Sequence, residues 1–195
     1  MILSKRLSLA INRTSELHRD QERKGVDRTP YVSHLYSVSH ILSCVTDDED
    51  VLIAGLMHDS LEDVPNFTKE NLLEEFGERV MTIVIGVTEP LDANKEMGDQ
   101  LPWLVRKEAY IQAVKDGPME SAMVSCADKI HNLMSTEYAY SVTDVSLFDK
   151  MQMSFLNQKL FYDKVFLVCE EKLGKDHVLV TSYRETLARV TTLFI

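Results

Sequence analysis

The residues best suited to chemistry are two histidines and two aspartates spread along the chain: His34, His58, Asp59 and Asp128. His58 and Asp59 directly follow the run VLIAGLM, residues 51–57. Because this run is apolar on every side at about 100° per residue, we expect it to form a buried helix. An uncompensated charge in a buried position is costly, and a bound cation would offset that cost. The sequence therefore predicts a metal site at the end of a buried helix.

His34 and Asp128 are expected to reach the same site from two other helices. Apolar residues follow His34 at positions i+4, i+7 and i+11, so His34 shares a core-facing stripe. Asp128 follows a second stretch of small and apolar residues, 121–127. Two imidazoles and two carboxylates suit Mn²⁺, Fe²⁺, Co²⁺ or Zn²⁺, with positions left for water. The absence of thiolates from this set disfavours a structural zinc site.

Two further acids, Glu62 and Asp63, follow Asp59 at i+3 and i+4 and share its helix face. A metal lowers the pKa of a bound water, and a neighbouring carboxylate can accept the proton. Acids near a helix C-terminus oppose the helix dipole, which favours a functional role over a solvated surface. Asn132, one turn after Asp128, is placed to donate a hydrogen bond to a ligand or a carboxylate. Such a site is equipped to hydrolyse a phosphate ester.

Apolar residues at three- and four-residue spacing along most of the chain predict an all-α protein. A short strand over residues 84–88 is the one alternative to helix in this interpretation. Residues 88–101 are polar, contain Pro90 and Gly98, and are predicted to form a mobile loop. The predicted helices are 3–21, one from the N-cap Ser33, 51–62, 69–76 after the N-cap Thr68, 78–87, one around 103–110, 119–134, 155–173 and 178–194.

Composition narrows the classes of function. The net charge of −10 argues against nucleic-acid binding and against a polybasic membrane surface. Three scattered cysteines without a CxxC motif are typical of reduced thiols in a cytoplasmic protein. We expect no signal peptide, and the apolar runs are too short to cross a bilayer. The apolar stripes after residue 155 serve either as core or as a subunit interface, so a homo-oligomer is left open.

These motifs occur in an order that resembles the HD metal-dependent phosphohydrolase superfamily. The chain also contains the segments HRDQERKGVDRTPYVSH (18–34), HDSLED (58–63), FGERV (76–80) with VTE (87–89), and ADKIHN (127–132). In these segments it resembles, more narrowly, the hydrolase domain of the bifunctional Rel/SpoT alarmone enzymes. No nucleotide-synthesising domain fits in the remaining residues, so the chain resembles a stand-alone small alarmone hydrolase. Residues 102–110 are similar to a segment of the small bacterial members of that group.

The resemblance implies a single-domain HD-type helical bundle over residues 1–195. Its motif-bearing core is expected at about 18–140, with C-terminal helices over 150–195 packing on it. It also implies that residues matching Glu62 and Asp63 handle the attacking water and proton transfer. It further implies one Mn²⁺, other divalent transition metals being alternatives, held by residues matching His34, His58, Asp59 and Asp128.

The resemblance also implies a small-molecule nucleotide substrate. Such enzymes remove the 3′-pyrophosphate of (p)ppGpp or (p)ppApp and release pyrophosphate. Leu35 stands where the larger enzymes have proline, and the loop over residues 25–29 is longer, so the choice between guanine and adenine stays open. The substrate-binding residues implied are Arg23, Lys24, Lys129 and Asn132.

Two other functions compete with this interpretation. One is an HD nucleotidase that acts on monophosphates and releases orthophosphate. The other is a non-catalytic module that senses an alarmone through the same pocket. Arg106 and Lys107 fit an exposed helix face as well as a site, and His131 is predicted to be structural, with its ring bonded to a neighbouring helix.

Overall fold

The computed structural model describes residues 3–23, 29–89, 102–142 and 148–194, in which the regular structure is helical apart from one isolated bridge. The predicted all-α fold is confirmed, and the strand alternative is wrong because α6 continues to Ile85. Of the loop predicted over 88–101, only residues 88 and 89 are described. The helices are α1 (Lys5–Leu17), α2 (Val32–Ser43), α3 (Glu49–Met57), α4 (Ser60–Asp63), α5 (Lys69–Phe76), α6 (Glu78–Ile85), α7 (Trp103–Asp116), α8 (Met119–Val142), α9 (Phe148–Leu173) and α10 (Val178–Phe194).

Helix α3 lies at the centre of the bundle. Every residue from Val51 to Met57 is buried, as the apolar run predicted. Helices α1, α2, α6 and α8 pack around α3, while α9 and α10 pack on α8 and on each other. Among the helices described, none is both long and apolar enough to cross a bilayer. Burial of this apolar surface is the main driving force of the fold.

Helix α3 ends at Met57, whereas the sequence predicted a helix continuing to Glu62. The chain turns at His58 and Asp59 before the short helix α4. In a continuous helix, backbone N–H groups of the next turn would donate to the last carbonyls of α3. Side chains donate to these carbonyls instead, so they keep hydrogen-bond partners although they are buried. Its last carbonyls accept as follows: Gly55 O from His58 Nδ1 (2.9 Å), Leu56 O from Thr14 Oγ1 (3.3 Å) and Met57 O from Ser60 Oγ (2.6 Å).

The helix starts agree with the sequence in one case and differ in another. Thr68 is the N-cap of α5, as predicted, and it also forms a capping box with Asn71. Ser33 is not the N-cap of α2, because that helix begins at Val32 with Tyr31 as its N-cap. The Tyr31 N–H instead donates to Gln21 O at 2.8 Å, so the loop that precedes α2 decides where the helix starts.

Gly55 lets α2 and α3 approach closely, which brings the predicted ligands on the two helices together. A Cβ at this position would lie 2.6 Å from Leu42 Cδ1 and 3.3 Å from the Ser39 backbone. Ser39 Oγ also donates to Leu52 O at 3.0 Å, which fixes the two helices against each other.

We expect Gly55→Ala to destabilise the fold, although alanine is favoured over glycine in an open helix by about 1 kcal/mol. Leu42 is completely buried, so the added methyl should instead cost about 1–3 kcal/mol through overpacking. Urea unfolding followed by circular dichroism measures this loss. Because Leu42→Ala removes the clashing atom, the double variant should lose less than the sum of the two single variants. Strictly additive losses would contradict the packing argument.

Candidate metal centre

His58 projects from the end of α3 with one ring nitrogen fixed and the other facing the site. Nδ1 donates to Gly55 O at 2.9 Å, because a carbonyl can only accept. Nε2 lies 3.1 Å from Asp59 Oδ2, yet it is buried and makes no hydrogen bond of suitable geometry among the described residues. A buried nitrogen without a partner is costly. A cation at this point would satisfy it.

His34 reaches the same point from the first turn of α2. Its Nε2 lies 3.2 Å from Asp128 Oδ1 and 3.6 Å from Asp59 Oδ2. Its Nδ1 lies 2.8 Å from His131 Nδ1, so the ring of His131 bonds to a neighbouring helix as predicted. Burial lowers the pKa of His131 to about 4, so this ring is neutral and can accept the proton of His34 Nδ1. The Nε2 of His34 is then left with its lone pair facing the two carboxylates.

The two aspartates are each held by a further side chain. Asp59 Oδ2 accepts from the Tyr31 hydroxyl at 2.6 Å. Asp128, on α8 and 6% exposed, accepts from Asn132 Nδ2 at 2.6 Å through Oδ1 and from Lys129 Nζ at 2.5 Å through Oδ2. These donors orient both carboxylates toward the imidazoles.

The four predicted ligands therefore meet in one place. Ligand atoms of His34, His58 and Asp59 all lie within 4.8 Å of one another, and Asp128 Oδ1 lies 3.8 Å from His58 Nε2. Burial by itself raises the pKa of Asp59, but the imidazoles of His58 and His34 lower it below its usual range. A buried set of nitrogen and carboxylate donors fits a divalent cation, whose charge would balance the carboxylates.

Glu62 and Asp63 lie beside this cluster, in the short helix α4. Glu62 is half-buried, and its Oε1 accepts from the backbone N–H of Glu89 at 2.7 Å. Burial, together with the charge of Asp59, raises the pKa of Glu62 to about 8. Asp63 is exposed, and its carbonyl accepts from Gln21 Nε2 at 2.7 Å. The two acids thus have different surroundings, one enclosed and one at the surface.

The predicted substrate-binding residues are only partly brought together. Lys129 is 7% exposed, and its Nζ lies 4.6 Å from the centre of the Tyr110 ring. Arg23 Nη2 donates to Asn132 Oδ1 at 3.1 Å, so Asn132 connects Arg23 to Asp128. Lys24 lies outside the described residues.

A cavity of about 160 Å³ joins these groups. Its lining includes every described site residue predicted from the sequence except Arg23, which lies over the ring of Tyr31. It also includes Tyr31 and Glu89, to which the sequence analysis gave no role in the site, and Lys107, for which it left a site role and an exposed helix face open. Tyr31 and Glu89 stand within the motif segments 18–34 and 87–89, so the resemblance held a signal for both.

Comparisons with known proteins match the chain to one domain family and to several named relatives. Residues 10–150 match the HD domain family. The chain is similar to the guanosine-3′,5′-bis(diphosphate) 3′-pyrophosphohydrolase MESH1 of Xenopus tropicalis, with 35% identity over 64% of this chain and 65% of that protein. The enzyme of the same name from Drosophila melanogaster is 30% identical over 76% of this chain and 86% of its own length.

A solved structure shares the fold over nearly the whole chain. It is described as a metazoan orthologue of SpoT that hydrolyses ppGpp and plays a role in starvation responses. The match has a TM-score of 0.76 and 27% identity, and it covers 97% of each chain.

We expect Asp128→Asn to lose metal while keeping the helical fold. The amide has the shape of the carboxylate but lacks the charge that a cation needs. The affinity should fall by more than about 10-fold, since removal of an outer-shell partner alone costs about 10–100-fold. Metal content after dialysis against Mn²⁺ or Zn²⁺ measures the effect. Asp116→Asn, at an exposed aspartate that pairs with Gln112, is the control, and full metal content in Asp128→Asn would exclude this ligand.

Proposed function

Since this chain belongs to the HD domain family, we propose that it is a metal-dependent hydrolase that releases the 3′-pyrophosphate of (p)ppGpp. The observation that carries the proposal is the meeting of His34, His58, Asp59 and Asp128 in one cavity with Glu62. The names of the relatives supply the substrate, and the cavity supplies the groups that its hydrolysis needs. The chain spans less than two thirds of the length of the Xenopus tropicalis relative. The substrate and the reaction are therefore proposals, and they rest on the cavity as well as on the names of the relatives.

We propose that the four residues hold one Mn²⁺ through the Nε2 atoms of the histidines and the carboxylates of Asp59 and Asp128. The donor set also suits Fe²⁺, Co²⁺ and Zn²⁺. When bound, such an ion supplies Lewis acidity toward water and phosphate oxygens. His131 and the Gly55 carbonyl keep both histidines in the tautomer that presents Nε2.

Glu62 is proposed to accept the proton of the attacking water in its ionised form, which the charge of a bound cation would favour although burial raises the pKa of this carboxyl. It shares the cavity with the ligands, and the N–H of Glu89 fixes the orientation of its carboxylate. The reaction exchanges the bond between the 3′-oxygen and phosphorus for one between that phosphorus and the water oxygen. The departing 3′-oxygen gains a proton. Asp63, which is exposed at the rim of the cavity, is proposed to transfer protons between the cavity and solvent.

The negative charges of the cavity lining mean that a phosphate group would need positive groups beside it. Among the residues that the structure describes, five acids line the cavity, so a bare pyrophosphate group would be repelled. Lys129 and Lys107 line the same cavity and are proposed to contact the phosphates, with Asn132 beside them. Pockets that enclose a whole drug-sized ligand measure about 300–1,000 Å³, so we propose that this smaller cavity receives the pyrophosphate end of the substrate alone. Arg23 and Lys24 are proposed to bind the nucleoside outside this cavity.

Four broader expectations remain proposals. We keep one domain over residues 1–195, because α9 and α10 pack on the helix that carries Asp128. Cytoplasmic location is proposed from the pattern of three unpaired cysteines. A homo-oligomer and the use of adenosine alarmones stay predictions.

We expect metal-dependent release of pyrophosphate from ppGpp, with the 5′-phosphates retained. Anion-exchange chromatography of reactions with Mn²⁺ and with chelator measures this, and ppApp in parallel measures the base preference. Release of orthophosphate from monophosphates would instead support a nucleotidase. Tight nucleotide binding without turnover would support the sensing module.

Glu62→Gln should abolish most turnover and leave metal content unchanged. Loss of a general base typically costs about 100- to 10,000-fold in rate, because water must then be deprotonated without a positioned acceptor. The measurement is kcat together with bound metal per chain. Glu74→Gln, on the exposed face of α5, is the matched control. Retained activity in Glu62→Gln would remove Glu62 from the mechanism.

A further inference from the structure

Glu89 is a nearly buried carboxylate in the wall of the cavity. It is 8% exposed, and carboxylates are rarely buried to this degree unless they are paired. Its Oε2 accepts from Arg106 Nη1 at 2.7 Å, and its Oε1 accepts from Lys107 Nζ. Two cations from α7 therefore compensate one buried acid, and they fix its side chain from both sides.

The backbone of the same residue holds Glu62. The Glu89 N–H donates to Glu62 Oε1 at 2.7 Å. The chain before it is fixed to the end of α6, where Thr88 Oγ1 donates to Val84 O at 2.8 Å. Residue 89 thus connects the two cations of α7 to the acid proposed to activate water.

We propose that Glu89 is a positioning residue that acts through Glu62. Its carboxylate, clamped by Arg106 and Lys107, holds its own N–H against the Glu62 carboxylate. At the same time it neutralises part of the positive charge that Lys107, which lines the cavity, would offer to a phosphate group. This inference rests on the proposed hydrolase function, and it predicts that loss of the Glu89 charge affects turnover and binding in opposite directions.

Glu89→Gln tests the split between turnover and binding, because glutamine keeps the size and the backbone N–H but removes the charge. We expect kcat for ppGpp to fall by about 10-fold or more, since misplacement of a catalytic group by about 1 Å costs up to about 100-fold. We expect KM to fall, because Lys107 in the cavity lining is released toward the phosphates. Unchanged kcat, or a KM that rises as kcat falls, would overturn the proposal. Glu108→Gln is the control, because this exposed glutamate of α7 lies 3.9 Å from exposed Lys164.

A double-variant cycle separates positioning from a structural role. Residues that act as a unit are not additive, so Glu89→Gln in a Glu62→Gln background should change the single-turnover rate by less than about 2-fold. The same loss in both backgrounds would mean that Glu89 does not act through Glu62. Arg106→Gln removes one of the two cations that hold Glu89, and its effect on the rate should depend on Glu62 in the same way. This variant provides the test if Glu89→Gln fails to fold.

Binding of pyrophosphate gives a readout that does not require turnover. Calorimetric titration of the Mn²⁺-loaded protein should show tighter binding in Glu89→Gln than in the wild type. Equal or weaker binding would overturn the claim that Glu89 masks the charge of Lys107. If the wild type hydrolysed no alarmone, the proposed function would fail, whereas this titration would still decide the charge-masking part of the inference.

Discussion

Two carboxylates and two imidazoles gathered at the end of a buried helix are the constraint on which the rest of the structure depends. Asp128 is almost fully inside the protein, and His58 Nε2 has no hydrogen-bond partner among the described residues. Charge in such surroundings persists only where it is paired or binds a cation. Lys129 pairs with one carboxylate oxygen of Asp128. The imidazole nitrogens of His34 and His58 and a carboxylate oxygen of Asp59 lie close together around a space suited to a metal. The proposed hydrolase chemistry follows from this single concentration of buried charge.

Each proposed ligand is oriented by a second group of the protein. His131 fixes the ring of His34, the Gly55 carbonyl fixes His58, and the Tyr31 hydroxyl fixes an oxygen of Asp59. Such partners reduce the freedom that each ligand would lose on binding a cation. The same arrangement extends outward to the acid beside the site, since Glu62 is held by a backbone N–H. The proposed metal binding, water activation and phosphate binding are thereby tied to the packing of several helices.

Much of this site could be predicted because its members stand in short motifs next to apolar stripes. His34 and Asp128 were predicted to point inward from helical spacing and apolar context, and the structure places both in the cavity. Glu89 was missed as a site residue, although the motif VTE was recognised. Its importance comes from Arg106 and Lys107, which lie 17 and 18 residues further along the chain. Spacing along one helix contains no information about such a contact.

The sequence by itself determined the helical class, the burial of residues 51–57 and the types of donor that surround the metal site. These features follow from local periodicity and from the side-chain chemistry of single residues. Only the tertiary structure decided that α3 ends at Met57, because Thr14 of α1 supplies one of the hydrogen bonds that allow the buried helix to stop there. It also decided which nitrogen of His34 faces the site, through His131 on α8. The physical reason is the same in both cases: the partner that satisfies a buried polar group lies far away in the sequence.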